Sequence, residues 1–279
     1  MPLPPPKKNK TKCWGIAKCF AAGYLDQTQL YKEKIMKLRI TLHAVLIVVS
    51  LFFCAQSSYA QKENTPWKTL FNGKNLNGWK MVGDRGVACV KDGEIVIHRI
   101  ANTKEHTFLT TKREYSDFIL EIDFKMDSPG FSTGVLIRCV DAETTPDTSK
   151  VRLYGYQIKI DNSPRNWTGG IFDDFGGTWR WMYDLSKNEP ARQAFKTFDW
   201  NTFRVEAIGN TIKVWVNGVP STNLICDKYS KGYIALKIHS LKPDEKGEEV
   251  LVHFKNIRIL TNNLAAHVRS SEIQQIKYE

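Results

Sequence analysis

Four stretches of the chain alternate polar and apolar residues so that chemistry-bearing side chains fall at matching positions. In Phe118–Phe124, the apolar Ile122 and Phe124 leave Glu121 and Asp123 at the opposite parity. Val135 and Ile137 do the same for Arg138. Ile158 and Ile160 do so for Gln157, Lys159 and Asp161, and Leu236 and Ile238 for Lys237 and His239. Successive residues of a strand point to opposite sides, so each stretch, read as a strand, buries its apolar set and turns its polar set outward. Opposite charges, an amide and an imidazole are the groups a cleft would use. The plain alternative is an ordinary solvated sheet face. Parity orients each strand but does not say which strands share a sheet.

A second concentration of chemistry lies in Asn166–Tyr183. It carries Trp167, Phe172, Phe175, Trp179, Trp181 and Tyr183, interspersed with Gly169, Gly170, Gly176, Gly177 and Asp173-Asp174. Glycines punctuate loops, and Trp or Tyr offers a flat apolar face with a polar handle. Such a loop beside a polar sheet face suits a pyranose, with its apolar C–H side and hydroxyl rim. Trp167 and one of Trp179 and Trp181 are expected at the rim of the cleft. The competing reading is that these aromatics plug one end of the fold.

The elements that must position these residues are strands. Val90–Ile95 reads as a hairpin around Asp92-Gly93. Phe203–Ile208 and Thr211–Val216 form another around Gly209-Asn210, and Asn217-Gly218 turns the chain again. Gly134–Val140, Tyr154–Asp161, Gly232–His239 and Val250–Leu260 complete about ten strands at short spacing. That pattern belongs to a sandwich or barrel. Only Ser186–Phe195 reads as a short helix, limited by Pro190.

The first 60 residues read as leader. Met36 opens a basic stretch with Lys37 and Arg39, and an apolar run follows from Ala44 to Phe53, broken by Ser50. Ser58-Tyr59-Ala60 then offers small residues at −3 and −1. This is the pattern of a secretory signal cleaved after Ala60, with an apolar core shorter than the ~18 residues a spanning helix needs. Residues 1–35 read as disordered or as an over-called start, residues 36–60 as signal, and residues 61–279 as one exported domain, periplasmic or secreted. Lipid attachment at Cys54 is disfavoured by the bulky Phe52-Phe53 before it. Positions 1–60 hold nine Lys/Arg and two Asp/Glu. Of 40 basic and 29 acidic residues, 31 and 27 therefore remain, a net of +4 rather than +11. That balance gives no support to a nucleic-acid partner, and no membrane span remains after cleavage. Cys89, Cys139 and Cys226 are left, an odd number without metal spacing, best read as small buried apolar residues.

Several chemistries lack their motifs. There is no His/Cys zinc spacing, no G-x-S-x-G and no P-loop. Glu121-Ile-Asp123 is similar to the E-x-D-x-x-E strand of family 16 glycoside hydrolases. Met126 stands where the third acid would be, so a two-carboxylate glycosidase is not expected.

The chain as a whole resembles the 3-keto-disaccharide hydrolase family. Trp67–Trp79 is similar to its opening "LFNGKDLSGW". Ser132–Arg138, Gly155–Asp161, Thr168–Phe172, Asp199–Arg204, Asn210–Gly218 and Phe254–Arg258 follow in the family's order. Gln157 and Lys159 stand where the family often has Glu and Gln in "YEVQI", and Lys237-Ile-His239 where it has "Q-x-H". The resemblance implies an all-β, concanavalin A-like jelly-roll sandwich of two antiparallel sheets and an exported enzyme acting on an oligosaccharide or glycoside. The implied chemistry acts on sugars oxidised at C3: removal of the C2 proton, elimination at C1, then hydration. It needs a base, a group that stabilises the enolate, and a proton donor. His239 or Asp123 would be the base, and Arg138, always charged, the stabiliser. Lys159 shares the remaining roles with them. Glu121, Gln157, Asp161, Trp167, Trp179, Trp181 and Lys237 would bind substrate. No cofactor is assigned, and a divalent cation is left open. A non-catalytic, lectin-like sugar-binding module is the alternative.

Overall fold

The computed structural model describes residues 30–32, 34–39, 66–83, 86–99, 107–127, 132–141, 153–173, 180–238 and 251–279. The chain divides into two compact units, Met1–Asn64 and Thr65–Glu279. In the first, the described residues 30–32 and 34–39 are helical. Residues 40–60, which carry most of the signal reading, lie outside the described residues. Among the described residues no helix is long and apolar enough to cross a membrane.

The second unit is built from strands. In chain order they are β1 (Lys68–Thr69), β2 (Trp79–Val82), β3 (Gly86–Lys91), β4 (Glu94–Arg99), β5 (Thr107–Thr111), β6 (Phe118–Met126), β7 (Ser132–Asp141) and β8 (Leu153–Asp161). They continue with β9 (Ile171–Asp173), β10 (Arg180–Tyr183), β11 (Asn201–Ile208), β12 (Thr211–Val216), β13 (Val219–Ile225), β14 (Tyr233–Ile238), β15 (Leu251–Leu260) and β16 (Ile276–Lys277). Sheet I runs β16-β13-β12-β11-β6-β15-β4-β3, with β1 also paired to β15. Sheet II runs β10-β9-β8-β7-β14-β5-β2. All described pairs are antiparallel except β13 with β16. Among the places where the chain crosses between sheets are β4–β5, β6–β7 and β14–β15. β15 lies between β4 and β6, while β14 lies between β5 and β7. This nesting of one crossing pair inside two others is the jelly-roll sandwich.

Local sequence explains the corners. Asp92-Gly93 and Asn217-Gly218 both take positive φ, at 52° and 80° and at 50° and 85°. This is the two-residue turn whose twist matches flanking strands. The helix Glu189–Ala194 has Pro190 in its first turn, and the Asn188 side chain accepts a hydrogen bond from the Ala191 N–H, as a cap should.

The core lies between the sheets, where Leu120, Ile122, Phe124, Val135, Ile137, Ile158, Ile160, Phe203 and Leu236 are fully buried. The Phe124 and Phe203 rings sit 4.2 Å apart. On the outer face of sheet II residues are buried as well: all nine residues of β8 are buried, and Phe108, Leu136, Cys139, Leu153 and Ala235 form a second apolar cluster there. The C-terminal segment crosses part of sheet I's outer face. Asn223 Nδ2 donates to the Ile273 carbonyl and the Arg269 N–H donates to Glu206 Oε1.

Candidate functional site on sheet II

Register determines which side chains meet. One row across the outer face of sheet II reads Trp181, Phe172, Gln157, Leu136, Ala235, Thr110. The next reads Lys159, Gly134, Lys237, Phe108. Gln157, Lys159 and Lys237 therefore share a face, as alternation implied. Gly134 sits between the two lysines and adds no side chain.

These polar groups are buried among apolar neighbours. Lys237 is 1% exposed and Lys159 7%. Lys237 Nζ donates to Gln157 Oε1 at 3.3 Å. Lys159 Nζ donates to Ser132 Oγ at 3.2 Å and lies 5.4 Å from the Phe172 ring centre. Gln157 Nε2 is buried and has no hydrogen-bond partner in the structure. A buried amide left unpaired costs roughly 1–3 kcal/mol, so this donor is a natural point of attachment for a ligand oxygen.

An aromatic wall bounds the face on the β9–β10 side. Trp181 packs edge-on against Phe172 at 5.2 Å and Trp167 at 4.9 Å. The Arg165 guanidinium lies 4.9 Å from both tryptophan ring centres. Trp167 is half-buried and also packs on the main core. It lies at the edge of this face and against the core.

The expected convergence of all the polar residues does not occur. Glu121 and Asp123 project from the outer face of sheet I, because β6 pairs with β11 and β15 and not with any strand of sheet II. Asp123 Oδ1 accepts from Thr202 Oγ1 at 2.6 Å and Oδ2 from Asn256 Nδ2 at 2.7 Å. Glu121 Oε1 accepts from Arg204, and Oε2 takes two N–H groups of Arg258. Burial would raise the Glu121 pKa, but the hydrogen bonds from Arg258 and Arg204 outweigh it and hold it below the usual range.

Arg138 is not on the outer face either. It takes φ 51° at a bulge where the β7–β8 register shifts between Ile137 and Val140. An extra residue in one strand reverses the parity that follows it. Arg138 is 1% exposed and reaches the loops of sheet I. Nε donates to the Ser116 carbonyl, Nη1 to those of Gly209 and Tyr229, and Nη2 to Asp117 Oδ1 at 3.1 Å. This guanidinium ties the two sheets together.

Asp161 keeps its strand position but turns to its own loop. Oδ2 accepts from Arg165 Nε at 2.9 Å and the Trp167 N–H at 3.2 Å, and Oδ1 from the Ser163 N–H. It braces the segment that carries Arg165 and Trp167. Two further candidates, His239 and Trp179, lie outside the described residues. Sequence reasoning missed Arg165, for which no local signal exists. It also missed the part of Gly134, for which the signal was a glycine inside an apolar strand.

A family model described as a 3-keto-alpha-glucoside-1,2-lyase-like domain matches residues 66–260. The chain belongs to that family. Membership makes it a carbohydrate-active protein. No curated protein sequence matches it. Among solved structures, a Parabacteroides distasonis protein named as a candidate glycosyl hydrolase aligns at TM-score 0.49 and 17% identity, over 71% of this chain and 94% of that one. The carbohydrate-binding module CBM66 of Bacillus subtilis aligns at 0.47 and 14%, over 65% and 94%. The Bacillus licheniformis beta-glucanase aligns at 0.46 and 11%, over 71% and 97%.

Proposed function

We propose that the chain is an enzyme that cleaves glycosides oxidised at C3, and that it does so on the outer face of sheet II. The observation that carries the reading is the pair of buried lysines, Lys159 and Lys237, set either side of Gly134 beside the unpaired Gln157 amide.

A ketone at C3 acidifies the C2–H bond. A base takes that proton and the electron pair moves onto O3 as an enolate. The C1–O bond then breaks, its electrons leave with the departing oxygen, and a C1=C2 double bond remains. Water adds at C1 and a proton returns to C2. The step most in need of help is the enolate, whose charge develops on one oxygen. Two ammonium groups in a site of low water content are suited to it, since fixed charges act more strongly there than in water. The Gln157 Nε2–H is a third donor for the same oxygen. In this reading His239, two residues after Lys237, is the base and Trp181 with Phe172 forms the apolar wall for the ring. Among the described residues no three His, Cys, Asp or Glu side chains cluster to hold a metal ion. Among the described residues this face offers two ammonium groups and an amide as donors, and the reading assigns the enolate charge to the lysines.

The test is release of p-nitrophenol from a p-nitrophenyl 3-keto-glucoside by the purified protein, with the unoxidised glucoside as control. Turnover of the keto substrate alone supports the proposal. Saturable binding without turnover would overturn it in favour of a sugar-binding module.

A further inference from the structure

Glu121 and Asp123, which the reaction on sheet II leaves unused, line a cleft of their own. It lies on the outer face of sheet I, has a volume of about 610 Å³ and is bounded by β6, β11, β15 and the turns at Gly73 and Gly93. That volume is within the range of small-molecule sites, roughly 300–1,000 Å³. We infer that this cleft is a second carbohydrate site, which holds an uncharged sugar without cleaving it.

Glu121 is neutralised by Arg258 and Arg204, so most of its acceptor capacity is taken within the protein. Asp123 is left as the carboxylate that faces the cleft. One lone pair on each of its oxygens is occupied, by Thr202 Oγ1 and by Asn256 Nδ2. A carboxylate offers about four acceptor sites, so each oxygen can accept one more hydrogen bond from a ligand O–H. Arg258 stands on the same lining. Since Arg258 is already paired with Glu121, the unbalanced charge in the cleft is that of Asp123, which repels an anion and accepts hydrogen bonds from the hydroxyls of a neutral ligand.

The apolar side of a sugar is also provided for. Phe71 lies in the lining, and two half-buried tryptophans contact a residue of the lining or the neighbour of one. The Trp67 ring is 4.8 Å from the Arg258 guanidinium. The Trp200 ring lies 3.6 Å from Nζ of Lys255, the residue before Asn256. The Lys255 side chain, lying on the Trp200 face, can swing aside for a pyranose ring, which stacks on the same face. Asn256 itself takes φ 50° at a bulge between Lys255 and Arg258, and that geometry is what carries its amide to Asp123.

The experiment titrates the full chain with cellobiose, maltose and trehalose, followed by calorimetry. Two variants address the cleft. Asn256→Gly keeps the left-handed backbone and removes the amide, and Thr202→Val removes the hydroxyl. Lys159→Met addresses sheet II. The inference expects saturable binding of at least one disaccharide, weakened about tenfold or more by either cleft variant and unchanged in Lys159→Met. Cleavage of a 3-keto-glucoside should stay within about twofold of the parent in both cleft variants. No saturable binding by the unaltered protein would overturn the inference. So would binding lost in Lys159→Met and kept in both cleft variants, since the sugar would then sit on sheet II. Neither result depends on whether the chain proves to be an enzyme.

Discussion

Lys237 and Gln157 meet across β7 at Gly134, the position on that strand that contributes no side chain. The ammonium donates to Oε1 at 3.3 Å, over the backbone of Gly134, whose own register partners are Lys159 on one side and Lys237 on the other. A Cβ at this position would lie 2.5 Å from the Ile158 carbonyl oxygen and 2.8 Å from Gln157 Nε2. Gly134→Ala should therefore both strain β8 and push the amide from its place. The carbonyl is backbone and cannot rotate away, so a stability loss of about 1–3 kcal/mol is expected, as for other overpacked sites. Thermal unfolding measures the first effect and the rate on a 3-keto-glucoside the second. A variant with unchanged Tm and rate would show that the glycine is incidental.

The two sheets make opposite predictions for residues of similar chemistry. Lys159→Met and Lys237→Met should each lower turnover of the keto substrate by about 100-fold or more, the scale of a lost charge-stabilising donor. Asp123→Asn should change it by no more than about threefold, because Asp123 lies on the other sheet. Parallel steady-state kinetics on the three variants decides the matter. A large loss in Asp123→Asn with active lysine variants would move the reaction to sheet I.

The sequence made the sandwich legible because its signal repeats: ten or so alternating strands agree with one another, and a local error in one does not change the class. Face assignments within a strand were equally secure at Gln157, Lys159 and Lys237. Two things were not legible. Sheet identity depends on pairing between distant strands, so Asp123 and Lys159 looked equivalent although they lie on different sheets. Bulges are the second: Arg138 follows Ile137 with no glycine or proline to announce the extra residue, yet its backbone turns left-handed and its side chain reverses. Asp161 failed differently. Its parity was right, but a loop residue four positions on, Arg165, claimed its carboxylate.

Arg138 offers a clean separation of structure from catalysis. Its guanidinium meets three backbone carbonyls and Asp117, with 1% of the side chain exposed. Burial lowers its pKa and Asp117 opposes that. Arg138→Met would fill the space and orphan the carbonyls, at roughly 1–3 kcal/mol for each buried acceptor left unpaired. Denaturant unfolding should show a large drop in midpoint, while kcat per folded molecule stays near that of the parent. Were Arg138 the enolate stabiliser instead, kcat would collapse even where the variant is fully folded.

The last prediction concerns acid. Asp161 is fully buried, and burial alone would raise its pKa. The hydrogen bond from Arg165 leads the opposing contributions, with Ser163 and the Trp167 N–H, and together they hold it below the usual carboxylate range. A carboxyl with a depressed folded pKa binds protons more weakly when folded than when unfolded. Its contribution to stability is therefore fully present above the unfolded value, about 3.9 for Asp, and is lost as pH falls through the folded value. Glu121, depressed by Arg258 and Arg204 against its own burial, acts in the same direction from about 4.3 downward. Stability should thus fall steeply below about pH 4. Asp161→Asn should be less stable than the parent near pH 7, and the gap should narrow as the pH drops, because the parent loses the charge that the variant never had. Loosening of the Arg165–Trp167 segment would accompany it, visible as a change in tryptophan emission. Urea midpoints of both proteins from pH 3 to pH 7 measure the convergence. A constant gap across that range would mean that Asp161 is not held ionised by its loop, and that Arg165 does not fix the aromatic wall through it.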